Sequence, residues 1–342
     1  MRPPRRREPL PGVFRLVLPL PFPGLDRVNA YLLTGPDGAT LVDCGIFDPS
    51  EEGDHGWDAL VASLEVCDVT VADIRRLVIT HTHIDHYGMA ARMAERSGCE
   101  VWMHEAARFD LEFYRDPQET IARLRKTFAE HGVGPPEVEE LTAFEDWSPF
   151  ISGVVDAGTW LEGGEEIAVG PRAWQVVHTP GHSSSHVCLW SAEDRALISG
   201  DHLLASITPH IDFRRGETDD PLGEFLASLD KIEALEPDLV LPGHGRPFDD
   251  GAGRARVIAR HHDRRLGSIL QVIRHEPRSA DEITDAIFGT TLLNFQRRLA
   301  LGEALAHLVY LMERGEIERI DRGDGTFAFR KVDRRSQDRD DA

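Results

Sequence analysis

The sequence predicts an α/β fold followed by a small C-terminal domain of helices and a β-hairpin. Short apolar strands alternate with Pro/Gly turns and helices over most of the chain, which is typical of a mixed α/β protein. Four of these strands run directly into histidine or aspartate residues, and the pattern changes after Pro247. A length of 342 residues permits two domains with buried cores.

The strands and helices follow from the spacing of apolar residues and from the turn residues between them. Strands are predicted at 13–18, 29–33, 39–42, 77–79 and 101–103, with helices at 57–64, 71–75 and 88–97. The charged, helix-favouring stretch from 105 to about 150 interrupts this pattern and is interpreted as a helical insertion. Further strands are predicted at 159–161, 166–169, 173–178, 187–190, 196–199 and from 239 onward, with a helix at 221–235.

The region after Pro247 has a different character. A basic helix at 253–275 precedes helices at 279–288 and 301–314 and strands at 317–320 and 326–330. Asp324-Gly325 separates these two strands and is a strong hairpin signal. Helix, helix and hairpin are typical of a winged helix. The predicted organisation is a flexible tail (1–11), a catalytic domain (12–250), a connecting helix (251–275), a winged-helix domain (276–331) and a disordered tail (332–342).

Composition excludes several classes of protein. The formal net charge of −21 repels polyanions unless basic residues cluster locally. The four cysteines are scattered without a CxxC pair, so neither a zinc knuckle nor a disulfide framework is expected. No apolar run approaches the ~20 residues of a membrane helix, and the basic start of the chain makes a poor signal peptide because prolines interrupt the short apolar stretch after it. We therefore expect a cytoplasmic protein without membrane association.

One segment concentrates groups that bind metals. The strand at 77–79 leads into His81-Thr82-His83-Ile84-Asp85-His86. Side chains two residues apart on an extended backbone face the same way, so His81 and His83 can converge on one cation. A polar loop with chance histidines is the alternative, but burying four such side chains requires a partner for each.

Three later strands also end in a metal-binding residue. His182 follows Thr179-Pro180-Gly181, Asp201 follows Ser199-Gly200, and His244 lies within Pro242-Gly243-His244-Gly245. Each of these residues has a neighbouring glycine that permits close backbone approach. In type and order, the residues of these four segments resemble those of the metallo-β-lactamase superfamily, and in particular its glyoxalase-II-like and β-lactamase-like 2 members, which carry a C-terminal winged helix.

The resemblance covers roughly 12–248 and implies an αβ/βα sandwich with two divalent metal ions at one edge. It implies that His81, His83 and His182 bind one metal, that Asp85, His86 and His244 bind the other, and that Asp201 bridges them. Asp43 falls where the family has an acidic residue that supports the ligands. Imidazole and carboxylate ligands suit Zn²⁺, Fe or Mn²⁺, and zinc is the expected metal. Asp85 and Asp201 are the candidate catalytic residues, around a metal-bridging hydroxide.

Other residues have weaker signals. His202 and His210 follow a ligand strand and are candidate substrate-binding residues. His178 is expected to face the core or a strand partner, and His104, His131, His261 and His262 are expected at the surface. The insertion's aromatic residues, Phe109, Phe113, Tyr114 and Phe128, are interpreted as packing residues rather than as a substrate channel. The basic run from Arg254 to Arg265 is interpreted as a solvated helix face.

The predicted function is the dinuclear, metal-dependent hydrolysis of a small thioester or ester, as in hydroxyacylglutathione hydrolases. Asp201 stands where the antibiotic-degrading branch has a cysteine, which argues against lactam hydrolysis. The alternative is a single-strand-specific endoribonuclease, since some of these also carry a winged helix. A lactonase, and a DNA-binding regulator with an inert metal domain, are further alternatives. The expected partner is a small-molecule substrate, with RNA kept as an alternative and homodimer formation left open.

Overall fold

The structure, a computed structural model, describes residues 7–22, 24–50, 53–143 and 145–332. Residues 1–6 and 333–342, which include most of the two predicted tails, lie outside the described residues. The described ends of the chain are hydrogen-bonded. The carbonyl of Arg7 accepts from the backbone of Arg15, and the backbone of Val332 donates to Glu316.

The strands form two six-stranded sheets and two short hairpins within the described residues. In chain order they are β1 Val13–Phe22, β2 Leu25–Gly35, β3 Gly38–Val42, β4 Pro49–Ser50, β5 Gly53–Asp54, β6 Ile74–Val78, β7 Glu100–His104, β8 Thr159–Leu161, β9 Glu166–Val169, β10 Arg172–His178, β11 Val187–Ser191, β12 Ala196–Gly200, β13 Leu239–Pro242, β14 Phe248–Asp249, β15 Ile317–Asp321 and β16 Phe327–Lys331.

The α-helices of the described chain are α1 His55–Glu65, α2 Ile84–Tyr87, α3 Ala90–Ser97, α4 Ala107–Arg115, α5 Pro117–Glu130, α6 Pro135–Thr142, α7 Pro221–Leu235, α8 Gly251–Val272, α9 Ala280–Phe288 and α10 Asn294–Glu313. Short 3₁₀ turns cover Val71–Asp73 and Ser148–Phe150. Asp54 caps α1 by accepting from the backbone of Trp57. Ser279 and Glu282 form a capping box at the start of α9, as the Ser-x-x-Glu pattern favours.

The two large sheets pack face to face around an apolar core. One has the order β1-β2-β3-β6-β7-β8 and the other β14-β13-β12-β11-β10-β9. Tyr31, Val42 and Val78 of the first sheet share a buried cluster with Trp174 and Ile198 of the second. A second cluster covers the other face of the first sheet, where α1, α3 and α4 pack. Strands β3, β6 and β7 are parallel, as are β12 and β13. Their carboxyl ends therefore meet at one edge of the sandwich.

Two predicted elements are wrong at their boundaries. The expected helix at 71–75 is only a 3₁₀ turn, and Ile74 already begins β6, because pairing with β3 outweighs a helical preference over five residues. Helix α10 begins at Asn294 rather than at 301. Leu293, which precedes the helix, and Phe295 in its first turn are both exposed, so the start of α10 has no amphipathic pattern that would mark it as a helix in the sequence.

The described chain divides into two compact units. The first comprises Met1–Pro117, Asp146–Pro209 and Ala227–Arg256, and it contains both large sheets. The second comprises Gln118–Glu145, His210–Leu226 and Val257–Ala342. The end of the predicted insertion therefore clusters with the C-terminal helices, whereas α4 clusters with the sandwich. The domain boundaries drawn from the sequence stay a prediction.

A buried ion-pair cluster lies inside the second unit. The Arg298 guanidinium donates to Glu145 Oε1 and Asp212 Oδ2, each at 2.7 Å. Burial opposes the charge on Arg298, but Asp212 and Glu145 outweigh this effect and raise its pKa. Glu145, Asp212 and Arg298 belong to three separate segments of the unit, so the cluster joins these segments.

We predict that Arg298→Met destabilises the protein by about 3–5 kcal/mol, because the buried carboxylate of Glu145 and the partly buried carboxylate of Asp212 lose their counter-ion. Arg330→Met is the matched control. Arg330 pairs with Glu318 at the surface, where such pairs contribute about 0–1 kcal/mol. Urea unfolding followed by circular dichroism measures both variants, and equal midpoints for the two would contradict the prediction.

Gly56 offers a test of packing in the first unit. A Cβ added there would lie 2.1 Å from the backbone oxygen of Ile46. We predict that Gly56→Ala lowers the free energy of unfolding by about 1–3 kcal/mol. Gly267 in α8 has open space at its Cβ position, so Gly267→Ala is expected to raise stability by up to about 1 kcal/mol. Thermal unfolding checks the opposite signs, and a shift of the same sign in both variants would refute the steric argument.

Candidate metal centre

The sheet edge brings together the histidine and aspartate residues that the sequence placed after four strands. His81 and His83 follow β6, and Asp85 and His86 lie in α2, directly beyond. His182 follows β10, Asp201 follows β12, and His244 follows β13. The two sheets meet here through backbone hydrogen bonds from Val187 to Thr80 and from Asn29 to Gly243, at 2.8 and 2.7 Å.

The seven side chains form three overlapping groups of possible metal ligands, with donor atoms within 4.8 Å of one another in each group. The groups are His81, His83 and His182; His81, His86 and Asp201; and Asp85, His86 and His244. Asp201 lies centrally, because Oδ1 is 3.4 Å from His86 Nε2 and Oδ2 is 3.3 Å from His244 Nε2. The same Oδ2 is 3.9 Å from His182 Nε2. Asp201 is therefore the residue shared between the two ends of the cluster.

Hydrogen bonds fix the orientation of the imidazoles. The Nδ1 of His86 lies 2.7 Å from Asp43 Oδ2, and that of His244 lies 2.8 Å from the carbonyl of Arg27. The Nδ1 of His81 lies 3.1 Å from Thr80 Oγ1, which in turn donates to Asp43. When the outer nitrogen donates, the inner nitrogen keeps its lone pair for a metal.

Asp43 therefore supports both parts of the cluster. It adopts φ +59°, a left-handed conformation that Asp tolerates better than most residues. Its Oδ1 accepts from the backbone of Thr80 at 2.8 Å, and its Oδ2 accepts from the Thr80 hydroxyl and from His86. The carboxylate thereby fixes the strand end that precedes His81 and the ring of His86 at the same time.

Glycines allow the backbone to pass close to these side chains. A Cβ at Gly243 would lie 2.2 Å from Asp201 Oδ1 and 2.7 Å from a carbon of the His86 ring. A Cβ at Gly200 would lie 2.6 Å from His186 Nε2. The space that a side chain at Gly243 or Gly200 would fill is therefore occupied by Asp201, His86 and His186.

The charges of the cluster are strongly coupled. Burial opposes ionisation of Asp85, but His86 and His244 outweigh it and lower its pKa to about 2. Burial also disfavours a charge on His244, yet Asp201 and Asp85 raise its pKa to about 10. Burial, reinforced by His86 and His83, lowers the pKa of His81 well below its usual range. His81 thus offers a neutral nitrogen, while Asp85 and Asp201 stay ionised and attract cations.

The donor set fits divalent metal ions. Two imidazole nitrogens, His81 Nε2 and His83 Nδ1, face each other at 3.0 Å, an arrangement that a shared cation explains. The donor groups found among the described residues contain imidazoles and carboxylates and no thiolate, which suits Zn²⁺, Fe or Mn²⁺. Such ions displace protons from histidine, so binding releases protons and depends on pH.

The two candidate substrate-binding histidines, His202 and His210, have different surroundings. His202 is 0% exposed, and burial lowers its pKa to about 3. A ring without accessible surface gives no support to the expected substrate contact. His210 belongs to the second unit, where its Nδ1 lies 3.6 Å from Glu303 Oε2. Substrate contact by either residue stays a prediction.

Several histidines expected at the surface are buried. His104, His131 and His262 are at most 5% exposed, so that expectation was wrong for these three. His104 stacks on His178 with ring centroids 3.7 Å apart, and the Nε2 of His178 donates to the carbonyl of Ser184, outside the metal cluster, at 2.8 Å. The burial of a single histidine cannot be predicted from sequence periodicity, because the residues that pack against its ring come from distant segments.

Sequence reasoning missed residues that hold the site from outside. His186 is fully buried, and its Nε2 accepts from the backbone of Asp201 at 3.1 Å. The Asn29 side chain donates to the carbonyls of Pro242 and Gly245, on both sides of His244. The Tyr31 hydroxyl also donates to Pro242. Asn29 alternates in β2 with Tyr31 and Leu33, which could have indicated that it faces the second sheet. Its partners, the carbonyls of Pro242 and Gly245, are known only once the two sheets are packed together.

Comparison with known families agrees with this geometry. The family model described as the metallo-beta-lactamase superfamily matches residues 23–244. The chain belongs to this superfamily. A second model, described as the metallo-beta-lactamase-like C-terminal domain, matches residues 266–332. The resemblance stated from the sequence is confirmed, and so is the α/β sandwich with a small C-terminal domain.

Individual relatives extend over most of the chain. A solved structure of a beta-lactamase domain protein from Burkholderia ambifaria is 33% identical, has a TM-score of 0.80, and covers 94% of this chain and 93% of its own. Probable metallo-hydrolase YqjP of Bacillus subtilis is 24% identical over 86% of this chain and 91% of its own length. An atrochrysone carboxyl ACP thioesterase of Aspergillus fumigatus is 24% identical over 78% of this chain and 69% of its own length.

These findings establish the general activity. The chain is a metallo-hydrolase of the metallo-β-lactamase superfamily, whose fold implies divalent metal ions at the cluster of His and Asp residues. No helix in the described part of the chain has the length and apolar character needed to span a membrane.

We predict that Asp43→Asn lowers metal affinity by about 10–100-fold, since residues that orient metal ligands have effects of this size. The amide keeps the left-handed backbone conformation but presents only one oxygen to its donors. Metal retention against increasing chelator, measured by elemental analysis, gives the affinity. The control is Asp249→Asn on the exposed end of β14, and equal retention by the two variants would contradict the role of Asp43.

Proposed function

We propose that this chain hydrolyses a small thioester or ester with two divalent metal ions, zinc being the expected metal. The observation that carries the proposal is the set of three overlapping ligand groups, in which Asp201 lies between His86 and His182. In this proposal His81, His83 and His182 bind one ion, Asp85, His86 and His244 bind the other, and Asp201 binds both.

Two bound ions supply activated water and polarise the oxygen of the scissile bond. The protein's residues prepare the site for this chemistry. Asp43 and the carbonyl of Arg27 hold His86 and His244 with their inner nitrogens directed into the cluster. Asp85, whose Oδ2 lies 3.1 Å from His244 Nε2, is the residue to which we assign transfer of a proton from the attacking water to the leaving group.

The ligand chemistry supports a thioester or ester substrate over a lactam. Asp201 stands where the antibiotic-degrading branch has a cysteine, and none of the ligand groups in the described chain includes a thiol. Cys188 is instead fully buried in β11, where burial raises its pKa to about 12. The name of the Aspergillus relative, a thioesterase, points to the same class of substrate.

Charge in the second unit gives little support to the RNA alternative. Many of its guanidinium groups are paired with carboxylates of the same unit, which leaves less positive charge for a phosphate backbone. The pairs include Arg265 with Glu303, Arg297 with Glu137, Asp281 and Asp285, Arg298 with Glu145 and Asp212, Arg322 with Glu282, and Arg330 with Glu318. The formal net charge of −21 acts in the same direction.

The proposal is tested with metal-loaded enzyme on a panel of S-lactoylglutathione, acyl-CoA thioesters, simple esters, lactones and a fluorescent single-stranded RNA. We expect hydrolysis of a thioester or ester, and we expect His83→Ala to lower kcat/KM by at least about 100-fold. His275→Ala, at an exposed position, is the control and should keep full activity.

Two outcomes would overturn the proposal. One is a metal-replete enzyme that hydrolyses neither thioesters nor esters. The other is RNA cleavage that His83→Ala abolishes while all thioesters and esters stay intact, which would assign the site to the nuclease branch.

A further inference from the structure

We propose that Asp110 is a positioning residue that ties together the two loops carrying His81, His83 and His182, and so sets the geometry of one metal position. The inference rests on the proposed two-metal function. It concerns α4, in the stretch that the sequence marked only as a helical insertion without metal ligands.

Asp110 is buried in the first unit and accepts hydrogen bonds from both loops. Its side chain is 4% exposed. Its Oδ2 accepts from Thr82 Oγ1 at 2.5 Å and from Ser185 Oγ at 3.3 Å. One carboxylate oxygen on α4 therefore joins the loop after β6 to the loop after β10, although these strands belong to different sheets.

The hydroxyl groups of Thr82 and Ser185 lie close in the chain to the three histidine ligands. Thr82 lies between His81 and His83, so any shift of Thr82 moves both imidazoles. Ser185 is three residues beyond His182, and its hydroxyl also contacts that of Ser183 at 2.9 Å. The anchor thus acts within three residues of each ligand of the His81, His83 and His182 group.

A second contact from the same helix strengthens the anchor. The Tyr114 hydroxyl donates to the carbonyl of Thr82 at 2.7 Å, and its ring stacks on Tyr87 with centroids 5.9 Å apart. Helix α4 therefore holds Thr82 by its side chain and by its backbone. Tyr114 was interpreted from the sequence as a packing residue, and the structure adds this polar contact.

The burial of Asp110 is informative because a buried carboxyl group is costly unless hydrogen-bond donors compensate it. A hydroxyl that donates to a carboxylate makes a stronger hydrogen bond than one that donates to a neutral acceptor. Asp43 already orients His86 by direct contact. Asp110 has the corresponding role for the other ligand group, but it acts through the loops rather than on an imidazole.

The test measures metal stoichiometry and affinity in the full-length protein. Wild type, Asp110→Ala, Asp110→Asn and Thr82→Val are loaded with Zn²⁺ and titrated with a chelator, with bound metal measured by elemental analysis. Wild type should hold two ions. Asp110→Ala and Thr82→Val should each keep one ion at wild-type affinity and bind the other about 10–100-fold more weakly. Asp110→Asn, which retains one oxygen acceptor, should restore part of the lost affinity.

Coupling between the residues gives a second measurement. If Asp110 acts through Thr82, Thr82→Val in the Asp110→Ala background should add little to the loss. Glu112→Gln is the matched control, because Glu112 lies on the same helix with a side chain that is 71% exposed, and it should bind both ions as wild type does.

The outcomes separate this inference from the proposed function. Equal weakening of both ions, or unchanged affinities with lower stability of the metal-free protein, would show that Asp110 has only a structural role. Should Asp110→Ala fail to fold, the isosteric Thr82→Val decides by the same criterion. A wild-type chain that binds no divalent ion overturns the proposed function and this inference with it, whereas two ions in wild type with unaltered binding in the variants overturns the inference alone.

Discussion

Five imidazoles and two carboxylates converge at one edge of the sandwich, where strands from both sheets have their carboxyl ends. Such groups are costly to bury unless every nitrogen and oxygen has a partner. The surrounding structure supplies partners for the outer nitrogens of His86, His81 and His244, which are Asp43, Thr80 and the carbonyl of Arg27. The sandwich, with its parallel strands and glycine-containing loops, brings the ends of strands from both sheets to one place.

Support for the cluster comes from layers that contribute no ligand. Strand β2 holds the His244 loop through Asn29 and Tyr31. His186 holds the backbone of Asp201, and α4 holds the loop between His81 and His83. These contacts are polar, directional and buried, so they can determine ligand positions more narrowly than apolar packing alone.

Different kinds of position were predictable from the sequence to different degrees. The segment from His81 to His86 was recognisable because four metal-binding groups in six residues are hard to explain otherwise. Most strands were found because their apolar residues are bounded by turn residues. His104 and His131 were placed wrongly, since burial of a single histidine depends on a stacking partner far away in the sequence. His202 is fully buried, and its position next to Asp201 in the sequence gave no sign of this burial, because neighbours in sequence can face different surroundings after a turn.

The sequence by itself determined the type and order of the seven polar residues and the strand ends that carry them, because local pattern and residue chemistry specify both. Residue pattern did not determine which of these groups lie together; the family resemblance implied it, and the tertiary structure decides it. Asp201 lies between His86 and His182 because β12 pairs with β13 in one sheet while β6 belongs to the other. The tertiary structure also brings Asp110 to Thr82 and Ser185. These hydrogen bonds join residues 28 and 75 positions apart, and contacts over such distances leave no periodic pattern in the sequence.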